Sequence, residues 1–162
     1  MVTSPPAQLP LAPVGGEARP IEDWVTTFHL VVVAVDPFTH ESGWLLDTAG
    51  RILEAFTGAD CRVAWLVAGT DDQARQFLGP WAERLLAFAD PDREVIKALG
   101  LERVPAIVHI DHELRIVSSA EGWNPAEWRR VADDLAAVMS WTRPAIPGPK
   151  DPTPYQGTPA LG

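Results

Sequence analysis

The chain has 162 residues, with 13 basic residues against 22 acidic ones and a net charge of −9. This length fits one domain with a sizeable core, and the acidic balance disfavours nucleic-acid binding because phosphate neutralisation needs a basic surface. The first twenty residues do not resemble a leader, and no apolar stretch approaches the roughly 20 residues of a membrane span, so we expect a cytoplasmic protein.

Prolines mark both ends of the chain, because eleven of the sixteen lie in residues 1–20 and 142–162. Each proline restricts φ and removes a hydrogen-bond donor, which disfavours regular structure. We therefore predict a proline-rich N-terminal segment (1–20), one domain (21–141) and an extended C-terminal tail (142–162). The tail is expected to be solvated unless something binds it.

Between the proline-rich ends, predicted strands and helices alternate. Apolar, β-branched runs predict strands, at residues 28–35, 61–68, 84–89, 106–110 and 114–119. Apolar residues at helical spacing and N-capping signals predict helices, at residues 45–56, 70–78, 91–99 and from 125 onward. Strands separated by helices pair in parallel, whereas the last two form a hairpin, so we predict an α/β fold with a mixed sheet and helices on both faces.

One proline, Pro105, begins a predicted strand, and the segment before it reads Asp90-Pro91-Asp92-Arg93-Glu94-Val95 and then Gly100-Leu101. With the strand, turn and helix lengths of residues 30–46, this string resembles the thioredoxin-like fold, in its thiol-disulfide oxidoreductase and peroxiredoxin-type branch, over residues 28–141. The resemblance places His40 and Gly43 where that branch carries its Cys-x-x-Cys pair. An imidazole cannot form a mixed disulfide, so this turn cannot perform the thiol chemistry.

The resemblance also implies that the Val104–Pro105 peptide bond is cis and borders a groove for an extended peptide. We predict a binding surface from Val104, Pro105 and the turn residues His40, Glu41, Ser42 and Trp44. The alternative is that the chain's own side chains or tail fill the groove. Within the turn, the polar residues are better explained as helix caps than as an anion site or an acid-base pair with Asp36.

Two further sets of residues carry weaker signals. The single cysteine, Cys61, excludes an intramolecular disulfide and opens a predicted strand at the end opposite the turn, as a small buried hydrophobe does. The four histidines are not expected to converge, because His29 and His40 lie at opposite ends of one strand, about 20 Å apart. We therefore predict no metal site and no cofactor.

These observations favour a redox-inactive, non-enzymatic protein that binds another protein, as an assembly chaperone or accessory subunit. The partner would use the Pro105 groove and the C-terminal tail, and exposed tryptophans are compatible with a homo-oligomer. Two alternatives stay open: a divergent thiol oxidoreductase or peroxidase that uses Cys61, and a small-anion binder near Ser42. The sequence does not identify the partner or the pathway.

Overall fold

A computed structural model describes residues 1–162. The strands are Pro10–Pro13 (β1), Arg19–Pro20 (β2), His29–Val35 (β3), Cys61–Val67 (β4), Leu86–Ala89 (β5), Arg103–Val104 (β6), Ala106–Ile110 (β7), Ile116–Glu121 (β8) and Thr158–Pro159 (β9). The helices are Ile21–Trp24 (α1), His40–Trp44 (α2), Leu46–Glu54 (α3), Asp71–Leu78 (α4), Trp81–Arg84 (α5), Glu94–Ala98 (α6) and Pro125–Met139 (α7). No helix combines the length and apolarity that crossing a membrane requires.

Seven strands form one mixed sheet in the order β2-β1-β5-β4-β3-β7-β8. The central strands β3, β4 and β5 are parallel, and β1, β7 and β8 run antiparallel to their neighbours. Alternate residues of β3 enter two buried clusters, one packed against α3, α4 and α7 and the other against α1 and α6. The predicted α/β fold with helices on both faces is confirmed.

Local signals explain where two of the helices begin. Thr70 and Gln73 form a reciprocal capping box at the start of α4. The Asn124 side chain accepts a hydrogen bond from the Glu127 N–H, and Pro125 occupies the first helical position of α7. Both starts agree with the sequence-based expectation.

Helix α6 differs from expectation, because it begins at Glu94 rather than at Pro91. Arg93 adopts a left-handed conformation with φ of 58°, so the preceding residues form a turn. The buried Asp90 carboxylate accepts hydrogen bonds from the N–H groups of Val95 and Ile96 across this turn. Burial raises the pKa of Asp90, against the effect of these backbone hydrogen bonds.

The two proline-rich ends are also more ordered than expected. In the N-terminal segment, β1 joins the main sheet beside β5 and buries Leu11. In the C-terminal tail, Ile146 is buried against the α3 and α7 side of the sheet, and the Asp151 carboxylate pairs with Arg51 at 2.9 Å. The expectation of a solvated tail is therefore wrong, because the tail packs along the domain; the three domain boundaries stay a prediction.

Candidate functional site

The turn after β3 is held by buried polar contacts. Asp36 forms an ion pair with Arg93 at 2.9 Å, with side chains 3% and 17% exposed. The Ser42 hydroxyl accepts a hydrogen bond from the Asp36 N–H at 2.9 Å. Thr39 occupies the N-cap of α2 without a side-chain cap. Of the two capping candidates, Thr39 is therefore at the N-cap position, whereas the Ser42 side chain faces back into the turn. Asp36 meets a guanidinium rather than an acid-base partner.

The outer part of this turn contacts the end of the tail. His40 and Gly43, which the resemblance aligns with the Cys-x-x-Cys pair, are exposed. Trp44, 59% exposed, meets the Tyr155 ring edge-on with 5.5 Å between centroids. The Tyr155 hydroxyl donates a hydrogen bond to the Glu41 carbonyl. Burial, and secondarily the Glu41 charge, raises the pKa of Tyr155 and keeps the phenol a donor.

The Val104–Pro105 peptide bond is cis, as the resemblance implied, and both residues are buried. The edge beside it is already occupied, because β9 pairs antiparallel with β6 and sets Thr158 opposite Val104. One step further on, the Ala160 N–H donates to the Glu102 carbonyl at 3.0 Å. We call residues Tyr155–Gly162 the C-terminal strap. It is the strap that connects the predicted binding residues of the turn with those beside Pro105.

Cys61 lies at the other end of the central strands. In the parallel pairing of β3 with β4, Cys61 is opposite His29, whereas Val35, which leads into the turn, is opposite Val67. Seven residues of strand span about 20 Å. The Cys61 side chain is 8% exposed, and its Sγ lies 3.6 Å from the Phe56 carbonyl. Burial, and then the Asp60 carboxylate, raises the pKa of the Cys61 thiol to about 11.

Three histidines meet at the Cys61 end, which corrects the prediction that they do not converge. His29 Nδ1 lies 2.9 Å from His109 Nε2, and the His29 and His112 rings are 4.6 Å apart between centroids. The sequence-based argument failed because His109 and His112 reach this corner on β7 and its hairpin, next to the start of β3. No group of three or more His, Cys, Asp or Glu side chains in residues 1–162 is arranged to hold a metal ion.

Burial sets the electrostatics of this histidine cluster. It lowers the pKa of His109 to about 4, with a further contribution from His29, and the His109 Nδ1 atom has no hydrogen-bond partner. Burial and His112 also lower the pKa of His29. The two rings are therefore neutral at neutral pH, and His29 can accept a proton there.

Sequence reasoning missed the residues that hold the strap. Arg93 bonds both the Asp36 carboxylate and the Ala160 carbonyl, and Tyr155 binds the turn. The proline-rich composition concealed these contacts by suggesting a solvated tail. The available signal was the sequence Tyr155-Gln156-Gly157-Thr158, in which a lone aromatic residue and a glycine interrupt the prolines.

The fold is thioredoxin-like, and the chain lacks the Cys-x-x-Cys pair of thiol-disulfide oxidoreductases. No protein-family model and no curated protein sequence matches it. Similar solved structures include DsbF of Mycobacterium tuberculosis (13% identity, 85% of this chain and 99% of that one, TM-score 0.66). Peroxiredoxin Q of Xanthomonas campestris is similar at 15% identity, over 86% of this chain and 94% of that one, with a TM-score of 0.63. A hypothetical protein from Sinorhizobium meliloti 1021 is similar at 14% identity, over 99% of this chain and 94% of that one, with a TM-score of 0.70.

These comparisons contradict the prediction of a redox-inactive binding module. Among the similar structures, those with a named activity are disulfide oxidoreductases and peroxiredoxins. They favour the alternative drawn from the sequence, a divergent thiol protein that uses Cys61. The absence of cysteines from the turn excludes thiol chemistry at that turn alone, and it leaves Cys61 as the one thiol of the chain.

Proposed function

We propose that this protein is a divergent thiol oxidoreductase or peroxidase whose redox chemistry takes place at Cys61. One observation carries the proposal: the only thiol of a chain with a thioredoxin-like fold lies at the rim of the sheet beside a neutral histidine. The redox centre would thus lie at the opposite end of β3 and β4 from the turn that usually bears it.

In the conformation of the structure, the surroundings of Cys61 make its thiol a slow nucleophile. A pKa of about 11 leaves about one thiol in 10⁴ ionised at pH 7, and the thiolate is the nucleophile. The Sγ atom is also directed at the Phe56 carbonyl beneath the turn that precedes β4. Reaction therefore requires deprotonation of the Cys61 thiol and local opening of residues 55–60. We accordingly propose a thiol that reacts only when this turn opens, rather than a fast peroxidase.

His29 is the group that we propose as the proton acceptor. Register partners in adjacent parallel strands point to the same face of the sheet, and the strands lie about 4.8 Å apart. His29 is the register partner of Cys61, and its lowered pKa keeps the ring neutral. A neutral imidazole on the same face can take the thiol proton when the Phe56 contact opens.

The reaction that balances with one cysteine uses a hydroperoxide and a low-molecular-weight thiol. The Cys61 thiolate attacks a peroxide oxygen; an S–O bond forms, the O–O bond breaks, and the alkoxide takes a proton and leaves as the alcohol. One external thiol condenses with the sulfenic acid and releases water. A second external thiol then attacks the sulfur of the first external thiol in the resulting mixed disulfide. The two external thiols leave together as a disulfide, and Cys61 returns to the thiol.

Intact-mass spectrometry tests this proposal on the reduced full-length protein. Treatment with cumene hydroperoxide and dimedone should add one dimedone adduct on Cys61, and hydroperoxide consumption with excess thiol should be lost in Cys61→Ser. His29→Gln should slow adduct formation at pH 7.5, whereas His40→Gln, an exposed histidine at the other end, should not. An unmodified Cys61 after prolonged treatment at pH 8.5, with equal consumption by Cys61→Ser, would overturn the proposal.

Two finer expectations from the sequence are carried forward as proposals. We propose a cytoplasmic location, supported by a chemistry that needs a reduced thiol, since reducing compartments keep cysteines free. Cell fractionation with an antibody against the native protein tests it, and recovery outside the cytoplasmic fraction would refute it. A protein partner at the Pro105 edge is also a proposal, and the structure of the strap bears on it directly.

A further inference from the structure

The backbone edge at Val104 is covered by the chain's own C-terminal strap. Strand β9 adds to β6 in antiparallel register, and the Ala160 N–H continues the ladder to Glu102. On the other side, Trp123 and Tyr155 exchange two backbone hydrogen bonds, at 2.8 and 3.0 Å. The strap therefore forms a separate two-stranded sheet with β6 and a further bridge to Trp123. It uses the same backbone pairing by which an extended peptide binds to a strand edge.

Two glycines let the strap approach this closely. Gly157 has φ of +82°, and a Cβ atom there would lie 2.5 Å from the Val104 carbonyl oxygen. Gly122 has φ of +70°, and its Cβ atom would lie 2.5 Å from the Gln156 carbonyl oxygen. Any other residue at either position meets both backbone strain and a collision with main-chain atoms. The close backbone contact therefore requires a glycine on both of its sides, Gly157 in the strap and Gly122 opposite it.

Side chains anchor the strap at both ends. Tyr155 reaches the turn through Glu41 and Trp44, as described above. Ala160 is 1% exposed in the core cluster on the α6 side, and its carbonyl accepts a hydrogen bond from Arg93 at 2.8 Å. Arg93 in turn binds Asp36. The strap therefore links the turn, the Pro105 edge and α6.

The tail upstream of the strap has its own attachment. Asp151 binds both Arg51 and the Thr48 hydroxyl, at 2.9 and 2.8 Å, and the Pro152 carbonyl accepts from Trp123 Nε1. Residues 153 and 154 between the two attachments are exposed. Release of the strap need not detach the rest of the tail, and a released strap stays at high effective concentration beside its edge.

We propose that the C-terminal strap is an autoinhibitory strand, which closes the Val104 edge and must leave before any extended chain can pair there. The edge accepts peptides with the chemistry of the strap itself: an aromatic residue, a glycine two positions later and a small residue five positions later. This device is separate from the proposed chemistry at Cys61, because it acts at the opposite end of β3 and β4.

The test uses full-length protein and a fluorescent peptide of residues 153–162. In Gly157→Val the added side chain displaces the strap, so the peptide should bind at least tenfold more tightly than it binds the wild-type chain, by fluorescence anisotropy. Gly79→Val is the matched control, because Gly79 also has a positive φ of +56° but no neighbour within 4 Å of a Cβ atom. A control peptide with valine at the position of Gly157 should not bind the Gly157→Val protein.

Ala160→Glu opens the strap from its far end, so the test stands even where Gly157→Val does not fold. Hydrogen exchange should increase at the amides of Tyr155 and Ala160 in both opened variants. Equal peptide affinity for the wild-type and opened proteins would overturn the proposal, as would absence of binding to an opened variant whose strap amides exchange freely. The rate of Cys61 modification should be the same in all of these proteins, which separates this result from the proposed function.

Discussion

The two ends of the central strands β3 and β4 differ in how they are closed. The turn end, after Val35, is covered by a strap that pairs with the main chain, and it holds a buried ion pair between Asp36 and Arg93. The other end holds the thiol of Cys61, whose Sγ lies against the Phe56 carbonyl, and the histidine cluster around His29 and His109. The backbone edge beside Pro105 is thus already paired, whereas the thiol that we propose as the redox centre lies at the opposite end.

In this chain a turn without the Cys-x-x-Cys pair occurs together with a covered backbone edge at Val104. An exposed strand edge pairs with other chains, and proteins cover such edges for that reason. The strap provides that cover here. At the Cys61 end, burial of the side chain and the raised pKa of the thiol oppose its ionisation. The following predictions, ordered by expected effect, test this contrast.

The largest effect expected is the pH dependence of the Cys61 thiol. Below a pKa of about 11 the thiolate fraction rises about tenfold per pH unit, so alkylation by iodoacetamide should accelerate about 1,000-fold between pH 7 and pH 10. Stopped samples analysed by intact mass measure the rate, with the urea-unfolded protein as reference. An alkylation rate that levels off near pH 9 would show that burial does not hold the pKa of Cys61 near 11 and does not control its reactivity.

The ion pair at the turn end should be costly to break from one side. Arg93→Ala leaves the buried Asp36 carboxylate without its partner and removes a bond to the strap, so the free energy of unfolding should fall by about 3–5 kcal/mol. Urea denaturation measures it. The double variant Asp36→Leu/Arg93→Met should recover most of the loss; a double variant as unstable as Arg93→Ala would mean that the strap bond dominates.

The histidine cluster should make the Cys61 end sensitive to acid. Folded His109 has a pKa of about 4, mainly through burial, whereas the unfolded side chain returns to about 6.5. Between these values only the unfolded chain binds the proton, so the free energy of unfolding falls as pH drops from about 6.5 to 4, by up to about 3 kcal/mol. The loss is complete below pH 4.

Urea denaturation of the wild type and His109→Leu at several pH values measures this contribution, with His40→Gln as the exposed control. The slope of stability against pH should be smaller in His109→Leu and unchanged in His40→Gln. Burial, and then His112, also lowers the pKa of the neighbouring His29, so some slope should persist in His109→Leu. The Asp111 and Asp134 charges act in the opposite direction on His109. Identical slopes for the wild type and His109→Leu would rule out this role.

The smallest effect expected concerns the cover over Cys61. The Trp141 indole donates to the Ala55 carbonyl at 2.8 Å, and its ring lies against Gly58 in the turn that precedes β4. Trp141→Ala should loosen this turn, with a stability loss of about 1 kcal/mol for the hydrogen bond and a several-fold faster alkylation of Cys61. Trp44→Ala, also an exposed tryptophan, should leave the alkylation rate unchanged. Equal alkylation rates in Trp141→Ala and Trp44→Ala would show that the turn before β4 does not limit access to Cys61.

Much of the frame was predictable, because it depends on local patterns. The alternation of β3 between two buried faces, the capping box at Thr70 and the cap at Asn124 are all encoded within a few residues. Trp65 and Trp128 are fully buried for the same reason, since strand and helix periodicity place them on core faces. The start of α6 was not predictable, because it depends on a left-handed turn at Arg93.

The candidate sites were harder to predict because they join residues far apart in the chain. The contact between His29 and His109 spans 80 positions, and the one between Arg93 and Ala160 spans 67. Proline content correctly indicated that the tail has little regular structure, but it could not show that an irregular segment packs along the domain. Buried area and backbone pairing, which composition does not reveal, stabilise it there.

The amino-acid sequence alone was sufficient to establish the fold class, the absence of the Cys-x-x-Cys pair and the uniqueness of Cys61, because periodicity and residue identity are local properties. Tertiary packing alone decided that the strap covers the Val104 edge and that three histidines meet near the start of β3. It also decided the pKa of Cys61. Each of these results depends on which groups exclude water from one another, and that is determined only when distant segments come into contact.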